Sequence, residues 1–168
     1  MIIDDLITNR TQADVDALNT LRTKILTVGW AGLTAAEQNT WNAGMRGAWN
    51  YTDLNRIGQA IDYVVTFAQN IGWDNIPSVT TKTDWAVTDI PTTNLLSQYI
   101  RIPLTAIRNM IAVPSDTPSV PTNFYAMSVG KANNVEKIIL VVYQQLELFR
   151  QSQFLSAEGL AGESVAIA

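Results

Sequence analysis

Leu54, Ile57, Ile61, Val64, Ala68 and Ile71 alternate steps of three and four without a break. At about 100° per residue this spacing puts all six side chains on one narrow helical stripe. A helix with such a seam packs lengthwise on one or two neighbours, inside a bundle or across subunits. Gly72 stands where a C-terminal cap belongs. Near the other end of the chain Val135, Ile138, Val142, Leu146 and Phe149 repeat the pattern, with Ile139 widening it. This predicts a last helix from near Ser128 to about Ser156. Leu54, Ile57, Ile61, Val64, Val135, Ile138, Val142 and Leu146 are therefore the expected core seam of a helical bundle.

The rest of the chain fits the same class. Thr11 caps a first helix, with Asp14 in its acidic first turn and Val15, Leu18, Leu21, Ile25 and Val28 recurring at helical spacing up to Gly29. Thr34-Ala35-Ala36-Glu37 has the capping-box form and opens a short second helix with Trp41 and Met45 on its apolar face. Asp89-Ile90-Pro91-Thr92 reads as the entry to a further helix that carries Leu95, Leu96, Tyr99, Ile100, Leu104, Ile107 and Ile111, in which Pro103 removes one backbone donor and predicts a kink near Arg101 to Pro103. Between helices, residues 74–90 read as an insertion with a short strand or hairpin arm at 78–83, and residues 113–123, with Pro114, Pro118 and Pro121, as a stiff extended connection. The expectation is a mainly α fold: one domain over residues 1–156, a bundle of four to five helices with a short β or extended insertion, and a C-terminal arm over 157–168.

Composition narrows the chemistry. The chain has no cysteine and no histidine, which excludes disulfides, zinc sites of the usual ligands, thiol or Ser–His nucleophiles and imidazole acid–base catalysis. Charged residues are 15% of the 168 against about 25% in a typical domain. Their place is taken by neutral polar residues, 18 Thr and 13 Asn among them. A neutral surface gives up the repulsion that keeps monomers apart and suits a subunit meant for assembly. The net charge of −4 argues against a grip on nucleic-acid phosphates. The acidic start Met1-Ile2-Ile3-Asp4-Asp5 and the lack of a long apolar run predict neither a leader nor a membrane span.

Carboxylate pairs can work without histidine, but Asp4–Asp5, Asp14–Asp16 and Asp84–Asp89 lack the fixed spacing and apolar pocket that would separate two pKa values, and read as capping charges. The glycine-rich run Gly44-Met45-Arg46-Gly47 has no lysine and no preceding strand, so it is not a phosphate loop. Arg22, Arg46, Arg56, Arg101, Arg108 and Arg150 read as solvated or interface residues. No catalytic, cofactor or metal site is expected. Five tryptophans carry the remaining chemistry: core or lid packing is the primary reading, and stacking on sugar rings through Trp30, Trp49, Trp73 and Trp85 is the alternative.

Two blocks carry a resemblance: Gly44-Met45-Arg46-Gly47-Ala48-Trp49-Asn50-Tyr51-Thr52-Asp53-Leu54-Asn55-Arg56, and Thr81-Lys82-Thr83-Asp84-Trp85 leading to Asp89-Ile90-Pro91-Thr92. They resemble a family of small proteins encoded with the tail and baseplate genes of phages and prophages of Gram-positive bacteria, especially Clostridia. The likeness reaches weakly into Asn133-Asn134-Val135-Glu136-Lys137-Ile138. Members carry a Thr-Tyr-Glu-Glu cap where this chain has Met127-Ser128-Val129-Gly130, and aromatic Tyr-Ser-Gly-Glu repeats where it has Phe154-Leu155-Ser156-Ala157-Glu158-Gly159 and Leu160-Ala161-Gly162-Glu163. The resemblance implies a non-enzymatic virion or tail-like particle subunit at the baseplate or fibre attachment. Its partners would be copies of itself and other tail proteins, assembled in the host cytoplasm. The alternative is a receptor-binding module for a cell-wall glycan.

Overall fold

Three helices open on reciprocal caps. The Thr11 hydroxyl accepts the Asp14 N–H while the Asp14 carboxylate accepts the Thr11 N–H, and α1 (Gln12–Val28) follows. Thr34 and Glu37 do the same for α2 (Ala35–Asn42). Asn50 and Asp53 form a third such cap for α3 (Tyr51–Asn70). Each cap satisfies backbone donors that the first turn leaves orphaned. Gly29 and Gly72 sit just past their helices at φ +72°, a conformation costly for any residue with a side chain.

The computed structural model describes residues 1–124 and 127–163. After α3 come α4 (Thr93–Leu96), a π turn (Ser97–Arg101) and α5 (Ile102–Met110) in one continuous helical segment. This π turn leads directly into the stretch Arg101 to Pro103, where the sequence predicts a kink. Pro103 has no N–H to donate to the preceding turn, and the widened turn accommodates its ring. The last helix, α6 (Val129–Glu163), continues past the expected end at Ser156, carried by the helix formers Ala157, Leu160 and Ala161 across Gly159. The rest of the expected C-terminal arm, residues 164–168, lies outside the described residues.

The core joins α3, α5 and α6. All eight residues of the expected seam are buried, Leu54 at 2% exposure and the other seven at 0%, in one cluster with Ile100, Leu104 and Ile107. The first two helices contribute less than their pattern promised. In α1 only Leu21 is buried while Leu26 and Val28 are exposed, and α2 buries none of its residues. A stripe of moderate amphipathicity finds only part of a partner surface at the bundle's edge.

The direction of the helices organises everything else. Along α3 and α6, Arg56 faces Glu136, Phe67 faces Tyr143, and Trp73 just beyond α3 faces Phe149, so the two run the same way. The helical segment 93–110 also runs that way: Tyr99 stacks edge-on against Trp85 beside Asn55, and the Met110 carbonyl accepts the Trp73 indole. Three parallel helices require two return paths. An α3 of 20 residues is about 30 Å long. Residues 74–90 and 113–123 can each span that distance in extended form, at about 3.3 Å per residue.

No strand forms at 78–83 or elsewhere among the described residues, which corrects the expected β arm. The returning segment bonds instead to α3. Thr81 donates to Asp62, the Trp85 N–H donates to the Asn55 side chain, and the Asn55 amide donates to the Trp85 carbonyl. Gly58 lets it lie close: a Cβ there would sit 2.5 Å from the Lys82 carbonyl oxygen. No described helix is long and apolar enough to cross a membrane.

Candidate functional site

Four charges lock the N-terminal segment onto the bundle. Arg10 Nη2 donates to Asp53 and Glu136, both at 2.7 Å, and Arg56 donates to Glu136 from Nε at 3.1 Å and Nη2 at 2.8 Å. Arg56 also pairs with Asp53, and the Ile7 N–H donates to Glu136. Glu136 is 0% exposed, Asp53 4% and Arg10 5%. Burial by itself would lower the Arg56 pKa, but hydrogen bonds and attraction from Glu136 and Asp53 outweigh it and raise it. Two cations and two anions balance, which is how buried charges are tolerated. The reading of Arg56 as a solvated or interface residue is thereby corrected, and Arg10 joins it. The two lie on different segments, 46 residues apart, so no local pattern pairs them.

The Arg10 guanidinium also stands 5.9 Å over the Trp49 ring, and Trp49 belongs to an open cleft of about 360 Å³. Trp41, Trp49, Trp85, Tyr51, Met45, Leu18 and Val87 supply its apolar lining, with Asn42, Asn50 and Thr52 as neutral polar groups and Asp89 as its one charge. Its position follows from the caps and returns: the Asn50–Asp53 cap sets the first turn of α3, and the Asn55–Trp85 bonds bring the returning segment against it. Residues 44–56 and 81–92 provide all of the lining except Leu18, Trp41 and Asn42. The two blocks that carry the family resemblance thus converge on one cavity.

The four tryptophans singled out from the sequence are divided. Trp49 and Trp85 meet at the cleft, Trp85 at 3% exposure, and each indole N–H is covered and has no acceptor among the described residues. These indoles therefore present ring carbons and not donors. Trp73 lies at the opposite end of α3, edge-on to Phe149 with its N–H on the Met110 carbonyl. Trp30, 42% exposed, follows the Gly29 cap of α1 and is not among the residues lining the cleft.

Asp14, Asp84 and Asp89 of the acidic pairs are engaged. Asp14 caps α1, and the Thr11 backbone N–H holds its carboxyl below the ordinary range. Asp84 and Asp89 flank Lys82 at 2.6 and 3.6 Å, and the Lys82 hydrogen bond lowers Asp84. Among the described residues no group of three or more acidic, histidine or cysteine side chains could hold a metal. The chain matches no protein-family model, no curated protein and no solved structure.

Proposed function

We propose that this chain is a non-enzymatic structural subunit of a phage virion or phage-tail-like particle, at the tail baseplate or fibre attachment, and that it acts by multi-copy assembly. The observation that carries the reading is the course of α6. The core ends at Leu146 and its flank at Phe149, yet the helix goes on to Glu163, with residues 151–156 all exposed. Leu148, Phe154 and Leu155 are 57%, 62% and 70% exposed on it. A helical extension of this length is marginal alone in water, and exposed leucine and phenylalanine on it are the mark of a partner surface. The low charge and the resemblance of the cleft-lining blocks to tail-associated proteins support the same assignment.

A glycan platform draws less support, because Trp85 is buried and Trp73 and Trp30 lie apart from the cleft. The test is immunogold labelling of tail-like particles sedimented from a producing culture, with an antibody against this chain. Discrete label at one end of the tail is expected. Particles that carry no label would overturn the assignment.

A further inference from the structure

We propose that the projecting end of α6 in one copy seats Phe154 and Leu155 in the aromatic cleft of the next copy, so that the chain assembles head to tail. The inference rests on the multi-copy reading above and specifies its interface.

The parallel helices make the bundle polar. The cleft flanks the first turn of α3, and the arm leaves beyond its last turn, past the Trp73–Phe149 contact. Glu136, level with that first turn, is 18 residues before Phe154, about 27 Å along an unbroken helix. A chain cannot fill its own cleft without breaking α6. The arm of a second copy approaches freely.

The two surfaces match in kind. A cavity of roughly 150 Å³ accepts one benzene ring, so a cleft of about 360 Å³ has room for a phenylalanine and a leucine side chain. The Trp49 and Trp85 N–H groups are covered, so these two indoles offer ring surface suited to apolar anchors. Val87 in the lining and Ile90, next in sequence to Asp89, are 80% and 84% exposed. The charged residues beside the contact are already paired within the chain: Asp89, the one charged residue lining the cleft, stands 3.6 Å from Lys82, and Arg150, one turn before Phe154, pairs with Glu147 at 2.8 Å. Leu148 and Leu155, seven residues apart, share one face of the arm with Phe154 at its flank, and a helix seated in an apolar groove by such anchors is a recurrent mode of recognition. Two different patches on one chain give a heterologous contact, which closes into a ring or extends as a filament.

The experiment is light scattering on a sizing column, over a wide concentration range, with the full chain and two variants altered only at exposed positions. The arm variant carries Phe154→Ser and Leu155→Ser, and the cleft variant Ala86→Trp and Val87→Lys. Circular dichroism checks that both keep the wild-type helix content. The wild-type mass should rise above the 18.5 kDa protomer with concentration while each variant alone stays at it. An equimolar mixture of the two should reach twice the protomer mass and stop there, because one intact arm meets one intact cleft. A cleft variant that retains the wild-type mass would show arms pairing with arms and overturn the proposal. A wild type that stays monomeric, or a mixture that stays monomeric, would also overturn it. Particle labelling is unaffected by either result, so the subunit assignment stands or falls separately.

Discussion

Glu136→Gln is the most informative single perturbation of this fold. The substitution keeps the shape of a side chain that is 0% exposed and removes one negative charge from a balanced set of four. Arg10 and Arg56 then face Asp53 alone, leaving one uncompensated buried cation, while the Ile7 N–H and the guanidinium donors compete for a single amide oxygen. Removing one partner of a buried ion pair costs about 3–5 kcal/mol. In a chain of this size each kcal/mol lowers the midpoint by roughly 2–4 °C, so a drop of about 6–20 °C is expected. Adding Arg10→Gln restores neutrality, with Arg56 and Asp53 still paired. The double variant should therefore lose less than the two single losses added together, by about 0.5–3 kcal/mol. Thermal and urea denaturation followed by circular dichroism measure all three. A midpoint within about 2 °C of wild type for Glu136→Gln, or strict additivity in the cycle, would refute the argument that charge balance holds the N-terminal segment.

Gly58→Ala would stabilise an ordinary exposed helix by up to about 1 kcal/mol, but here the methyl meets the Lys82 carbonyl, so a net loss of roughly 1–3 kcal/mol is expected in urea denaturation; a gain would contradict the close return path. Glu37 is held down at about 2 by the Lys24 ammonium and the Thr34 cap, against an ordinary value of 4.5. Because the folded value is the lower one, its contribution to α2 is complete above the unfolded value and is lost as pH falls towards about 2. A carbon-detected titration showing a midpoint above 4 would contradict the cap geometry. Trp30 is 42% exposed, whereas Trp85 is 3% exposed. Trp30→Phe should remove the largest share of iodide-quenchable fluorescence, and an unchanged quenching constant would mean the other indoles are more open than this structure has them.

Much of the architecture was legible in short stretches of chain. The steps of three and four in residues 54–71 named the face of α3 that is buried, and the stripe from Val135 to Leu146 did the same for α6. Thr34 and Glu37 announced their cap because the two bonds close within four residues. Where pattern and structure part, the cause is tertiary. Residues 78–83 alternate like a strand but have no strand to pair with, so the Thr81 hydroxyl bonds to Asp62 of α3 and the Trp85 backbone just beyond them bonds to Asn55. The stripe of α1 is real, yet only Leu21 finds cover there.

The cleft was only half visible. Its two blocks stood out in the sequence, and Trp49 and Trp85 were singled out there, but nothing local joined them to each other or separated them from Trp30 and Trp73. Nothing local marks Arg10, because its partners, Asp53 and Glu136, lie 43 and 126 residues away.

Periodicity, caps and terminating glycines act within one or two turns, so the sequence by itself determined which segments are helical, which faces are apolar and that they form a bundle. The shared direction of α3, α5 and α6, the balanced buried charges and the placement of the cleft and arm at opposite ends were decided only by the tertiary structure. These depend on the paths the two connecting segments take over the packed helices, and side chains far apart in sequence acquire partners only once those paths are laid.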